Sequence, residues 1–140
     1  MRSSGENDRN FKSATLVADP PHLPHQALIE AHGSGGFRFA SMSHRGSLLC
    51  LPDGLWAWPV SAAADLNDDL FALVFARLDA IDFFILGTGD APWIVPGSLR
   101  ARFRDAQVSL DAMATSPAVR TYNVLLMEGR RVGAGLIAIV

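Results

Sequence analysis

Residues 115–140, TSPAVRTYNVLLMEGRRVGAGLIAIV, decide how this chain is read. Thr115 or Ser116 offers a side-chain oxygen to cap a helix, and Pro117 falls in the first turn, where its missing N–H is tolerated. Gly129 supplies the residue type that commonly ends a helix. Advancing about 100° per residue gathers Ala118, Val119, Tyr122, Leu125 and Leu126 on one arc. Arg120, Thr121, Asn123 and Glu128 fall on the opposite arc, interrupted by Val124 and Met127. Small and branched residues follow over 132–140, with Gly133 and Gly135 among them, and read as a strand.

Working outward, the same alternation recurs. Residues 108–113 form a candidate strand, preceded by an Arg-rich helix opened by Pro96 or Ser98 and running to about Ala106. Residues 81–86 are apolar enough for a buried strand. Before them, Asp65 and Asp68 suit an N-cap and a first-turn acid, and Leu66, Leu70, Val74 and Leu78 recur every fourth position, which predicts a helix to about Asp79. Strand–helix–strand–helix–strand implies an α/β domain with a partly parallel sheet. Residues 26–60 have a different texture. Strands over 27–32 and 37–41 flank Gly33-Ser34-Gly35-Gly36, and strands over 47–51 and 55–60 flank Pro52-Asp53-Gly54. Both connections are turn chemistry, and together they predict an antiparallel meander. Phe37 and Phe39, like Trp56 and Trp58, alternate onto one face that needs a covering layer.

Composition sets the limits. The 140 residues carry a formal charge of −2, with 49% hydrophobic and 19% charged residues. A chain of this size buries roughly 68% of its unfolded surface and needs no disulfide or structural metal. The near-neutral charge argues against a nucleic-acid binder. The single Cys50 fits a reducing compartment. The longest apolar run, 132–140, is about half of the ~20 residues that a membrane helix requires, so membrane insertion is not expected. Residues 1–25, rich in polar residues and proline, read as a disordered tail without signal- or transit-peptide character. The folded domain is expected over 26–140.

Chemistry-bearing residues are sparse. Gly87-Thr88-Gly89 follows a buried strand, where an anion-binding turn would sit, but Pro92 interrupts a dinucleotide fingerprint and no P-loop ending is present. His22 and His25 are split by Pro24 and read as solvated tail residues. His32 borders the glycine turn without a Gly-x-Ser-x-Gly partner, and His44 reads as a turn residue. Asp65, Asp68 and Asp69 read as helix-start acids rather than a metal cluster, and Cys50 as a buried inert thiol. No metal or cofactor is expected. Arg120, Tyr122, Asn123, Glu128 and Arg131 remain, with Gly87, Thr88 and Gly89, as candidates for an anion or ligand site. The alternative for the charged helix residues, Arg130 included, is an internal network.

Blocks in this order also carry a resemblance. They are Gly35-Gly36-Phe37-Arg38-Phe39, Ser43-His44-Arg45-Gly46-Ser47-Leu48-Leu49 with Leu51-Pro52, Gly87-Thr88-Gly89, and Arg120-Thr121-Tyr122-Asn123-Val124-Leu125-Leu126 continuing through Glu128-Gly129-Arg130-Arg131-Val132. Together they resemble the Mth-type domain family of uncharacterised bacterial and archaeal proteins, which includes the mitochondrial respiratory complex I assembly factor 3. The resemblance covers residues 26–140. It implies a single three-layer α/β domain with a mixed central sheet flanked by helices, the N-terminal meander included. It implies no established enzymatic activity. It points instead to a non-catalytic protein-interaction domain whose partners are respiratory complex or assembly proteins. Similarity to the bacterial members implies a cytoplasmic location. Ser116-Pro117-Ala118 departs from a small Gly-Ala-rich run at this position, and Pro117 removes one N–H donor from any anion site at the helix start. Trp56, Trp58 and Trp93 are the aromatic candidates for partner contact; the other functional reading is the small-molecule or anion site above.

Overall fold

The structure, a computed structural model, describes residues 20–140. The expected tail over 1–25 therefore lies mostly outside the described residues. Where the chain is described, His22 N–H donates to Leu55 O (2.8 Å) and Leu55 N–H to Leu23 O (3.0 Å).

Two sheets share the domain. Strands β1 (Ala31–Gly33), β2 (Gly36–Phe39) and β3 (Met42–Arg45) form a small antiparallel sheet in that order. Strands β4 (Ser47–Leu51) and β5 (Gly54–Trp58) join β6 (Phe83–Gly87), β7 (Ser109–Met113) and β8 (Val132–Leu136) in a five-stranded mixed sheet, ordered β5-β4-β8-β6-β7. β6 pairs in parallel with both β7 and β8, whereas β4 runs antiparallel to β5 and β8. Helices α1 (Ala72–Phe75), α2 (Gly97–Asp105) and α3 (Thr115–Met127) complete the layers. This is the mixed α/β architecture expected from the alternating pattern.

Period-two alternation divides the sheet into two cores. On one face Leu49, Leu51, Trp56, Trp58, Phe84 and Leu86 pack with Phe71, Leu73, Val74, Leu99 and Phe103. On the other, Leu48, Cys50, Leu55, Ile85, Ala134 and Leu136 pack with Ala118, Val119 and Tyr122 of α3 and with Phe37 and Phe39 of the small sheet. Gly133 and Gly135 let aromatic rings lie against β8. A Cβ at 135 would stand 2.8 Å from the Trp58 ring, and one at 133 would stand 3.3 Å from Phe84.

Several local expectations change. The helix predicted from Asp65 to Asp79 is a series of short 3₁₀ turns around the single turn α1, and Asn67, not Asp65, caps it by accepting from Leu70 N–H at 3.1 Å. Ala114, not Thr115 or Ser116, occupies the N-cap of α3. Gly129 does end that helix. At φ 77° it allows Gly129 N–H to reach Leu126 O and Arg130 N–H to reach Leu125 O, both at 3.0 Å. The strand expected over 27–32 begins only at Ala31, although Glu30 N–H already donates to Arg38 O at 2.7 Å, and the one expected over 37–41 stops at Phe39. Ala40 and Ser41, at φ 48° and 61°, turn the chain into β3, so His44 lies on a strand rather than in a loop. The strand expected over 132–140 ends at Leu136 because the chain then leaves the sheet, and Ile139 O accepts Gly35 N–H at 2.7 Å.

Candidate functional site

The register aligns Gly87 with Met113 and Leu136, so Gly87-Thr88-Gly89 emerges at the carboxyl ends of β6, β7 and β8. That is the end of a parallel sheet where ligands usually bind. Here the polar groups of the turn face inward. Thr88 N–H donates to Met113 O at 2.8 Å, and its hydroxyl is within 2.7 Å of Ala91 O and 3.2 Å of Met113 O. Gly89 N–H donates to Thr115 Oγ1 at 2.9 Å, Thr115 Oγ1 donates to Ile137 O at 2.7 Å, and Thr115 N–H donates to Gly89 O at 2.7 Å. Gly89 needs its positive φ of 94°, and a Cβ on Gly87 would press within 3.0 Å of the Thr115 hydroxyl. Thr115, fully buried, thus clasps the turn, the start of α3 and the end of β8.

Tyr122 and Asn123 turn inward halfway along α3. The Tyr122 hydroxyl donates to Ala27 O at 2.7 Å, and the Asn123 side chain both accepts from Ile29 N–H and donates to Ile29 O at 2.9 Å. Residues 27–29 carry these backbone groups before β1 begins, so an amide side chain there stands in for a neighbouring strand. Burial pushes the Tyr122 phenol well above its ordinary range. Burial also pushes the Cys50 thiol up to about 12, against a lowering contact from Tyr122, so Cys50 is no ready nucleophile.

The remaining candidates sit elsewhere. Arg131 pairs with Asp82 at 2.7 Å where β6 and β8 begin, the opposite end of strands about 13 Å long. That guanidinium, mainly through its hydrogen bonds, holds the Asp82 carboxyl below the usual carboxylate range. Glu128 approaches Arg130 at 3.6 Å, and Arg130 lies 5.7 Å from the Phe83 ring. Arg120 is exposed, and its guanidinium has no ion pair or hydrogen bond among the described residues. The structure therefore joins Gly87, Thr88 and Gly89 to Thr115, ties Tyr122 and Asn123 to residues 27–29, and places Glu128 and Arg131 at the far end.

The aromatic candidates separate too. Trp56 and Trp58 are buried, and Trp58 Nε1–H donates to Leu70 O at 2.7 Å. Trp93 is half-buried against the aromatic core, beside an almost fully exposed Ile94. Sequence reading also missed Ser47, whose buried hydroxyl donates to Val60 O at 2.6 Å and accepts from Ala138 N–H at 2.9 Å. A serine opening an apolar strand was the signal available for it.

Among the described residues, no group of three or more His, Cys, Asp or Glu side chains is placed to hold a metal ion, and no helix is long and apolar enough to cross a membrane.

The fold defines a three-layer α/β domain whose central sheet joins an antiparallel hairpin to a βαβαβ unit, with its conspicuous polar side chains turned to internal backbone. The chain belongs to the family described as protein of unknown function (DUF498/DUF598), whose model matches residues 29–137. It is similar to the crystal structure of an outer membrane protein from Bartonella henselae, with 41% identity and a TM-score of 0.80 over 85% of this chain and 100% of that one. It is also similar to the solution structure of a Mth938-like domain from Bordetella pertussis, at 25% identity and a TM-score of 0.70, over 87% of this chain and 90% of that one. Human NADH dehydrogenase (ubiquinone) 1 alpha subcomplex assembly factor 3 is 28% identical over 136 residues, 97% of this chain and 74% of that protein. The resemblance to the Mth-type domain family, assembly factor included, therefore holds.

Proposed function

We propose that this chain is a non-catalytic protein-interaction domain that acts, in the cytoplasm, as an assembly factor for respiratory complex I. The observation that carries this reading is its similarity, over nearly its whole described length, to a protein named for assembling that complex. The inward-facing chemistry supports it. Thr88, Thr115, Tyr122 and Asn123 satisfy the backbone of their own domain, which is the work of a scaffold.

The contact face we assign is the outer stripe of α3. Arg120, Val124 and Met127 are spaced four and three residues apart and share one side of the helix. Val124 is 48% and Met127 66% exposed, a degree of apolar exposure that fits a partner surface. Arg120 adds a guanidinium, unpaired among the described residues, that is able to take a partner's carboxylate.

Affinity purification of the full chain from its native organism tests the proposal. Respiratory complex I subunits or their assembly proteins should be recovered with the wild type and lost with a Val124→Asp, Met127→Asp variant. Recovery of none, under conditions in which an established assembly factor captures its partners, overturns it.

A further inference from the structure

The small sheet carries a cleft that this reading does not use. Phe37 and Phe39 of β2 point into the core, so Arg38 between them points outward. Directly paired residues of antiparallel strands share a face, which puts Ala31, Arg38 and Ser43 in one outward row. Gly33, Gly36 and Arg45 make the next row. With glycine at two of its three positions, that second row is bare backbone ending in a guanidinium.

The result is a cleft of about 450 Å³ with a glycine floor, lined by Arg38, Arg45, Ser34 and Ser43 among others. That volume falls in the range of small-molecule sites. No Asp or Glu lines it. The nearby carboxylate, Glu30, meets Arg38 at 3.7 Å, and Arg38 Nη1 donates to Ser43 Oγ at 3.2 Å. Those contacts hold Arg38 in place and leave its Nη2 N–H groups unused among the described residues. The Arg45 guanidinium has no ion pair or hydrogen bond among the described residues, and its Nη1 lies 3.9 Å from where a Cβ on Gly35 would stand. A side chain at 33 would project into open space, whereas a Cβ at 36 would overlap the His44 carbonyl, so glycine is what keeps the floor beside Arg45 flat.

Two guanidinium groups on neighbouring strands, over exposed backbone and beside two hydroxyls, match an oxyanion with several acceptor atoms. Guanidinium forks engage such groups in pairs. We propose that this cleft binds a small molecule through its phosphoryl or diphosphoryl group, with Arg38 and Arg45 as the anion contacts. The site is separate from the α3 stripe, so either reading can fail alone.

Amide NMR of the full chain titrated with sodium pyrophosphate at constant ionic strength tests the proposal. Saturable shifts are expected at Gly33, Ser34, Gly35, Gly36 and Arg45. Arg45→Ala should weaken the apparent affinity about ten-fold, the loss of one charge-assisted hydrogen bond, and Arg38→Ala by a similar factor. Arg45→Lys should recover part of it, because charge without the fork is retained. Raising the salt should weaken binding. No saturable shift, shifts centred on another arginine cluster, or equal affinity in Arg45→Ala would each overturn the proposal. So would a glutamate-rich peptide that shifts these amides when pyrophosphate does not, since that places a protein in the cleft.

Discussion

The two faces of the central sheet are held by different physics. One is an aromatic stack. Phe84 lies 5.2 Å from Phe103 and 6.3 Å from Phe71, and Phe71 meets Trp58 at 5.6 Å, all ring centre to ring centre. Around it the covering chain is only short 3₁₀ turns and two small helices. The other face has no such stack: aliphatic side chains of the sheet pack with Phe37, Phe39 and Tyr122, and the long helix α3 covers it, reaching across to residues 27–29 with the Tyr122 and Asn123 side chains. Irregular backbone suffices where bulky rings supply the cohesion. Where backbone lacks a strand partner, directional hydrogen bonds fix which segment lies where, and apolar contact alone would not.

Substitutions can break this contrast. Phe84→Ala should show the largest effect, about 4 kcal/mol by urea unfolding, because the cavity opens in a fully buried stack. A loss under about 1 kcal/mol would mean that the aromatic face is not the dominant source of cohesion. Asn123→Ala should cost about 2 kcal/mol by leaving Ile29 N–H and O without their partner. It should also speed hydrogen exchange at Ile29 and Glu30 well before the amides of β6 are affected. Uniform acceleration across the domain would deny the directional role. Tyr122→Phe keeps the ring and removes the hydroxyl that donates to Ala27 O, and should cost about 1 kcal/mol in the same assay.

The smallest effect belongs to the surface. Asp53 forms a two-pronged pair with Arg77, at 2.7 and 3.0 Å, and the hydrogen bonds from that guanidinium lower the Asp53 pKa. A carboxylate lowered in the folded state contributes stability fully above its unfolded value of about 3.9, and the contribution is lost as pH falls through the folded value. The stability gap between wild type and Asp53→Asn should therefore be small at pH 7, because the pair is solvent-screened, and should close on acidification below about pH 4. A gap that widens with acid would contradict this.

The contrast also explains what the sequence discloses. α3 is legible because one helix periodicity, a first-turn proline and a terminal glycine all agree. β6 and β8 are legible as largely apolar runs, and β7, an alternating Ser-Leu-Asp-Ala-Met, because it lies between two helical segments. The segment between β5 and β6 misleads. Leu66, Leu70, Val74 and Leu78 suggest a continuous helix, but three of them are half-buried while Phe71 and Leu73 go to the centre, as tighter 3₁₀ turns require. β3 escapes notice because Met42, Ser43 and Arg45 are exposed and Ala40-Ser41 turns the chain without glycine or asparagine. Asn123 reads in the sequence as a polar helix residue and a candidate ligand contact, yet its partner is Ile29, 94 positions away, a pairing that no local pattern encodes. The cleft at Arg38 and Arg45 needs the β2–β3 register, which likewise becomes visible only in three dimensions.

The proposed role of the domain, assembly of respiratory complex I, can be measured in the cell. Its most direct measurement is native-gel quantification of assembled complex I in the native organism after deletion of the gene. With that role, deletion leaves less assembled complex and an accumulated early intermediate, restored by the wild-type chain and not by Val124→Asp, Met127→Asp. Undiminished complex I in the deletion strain would contradict it.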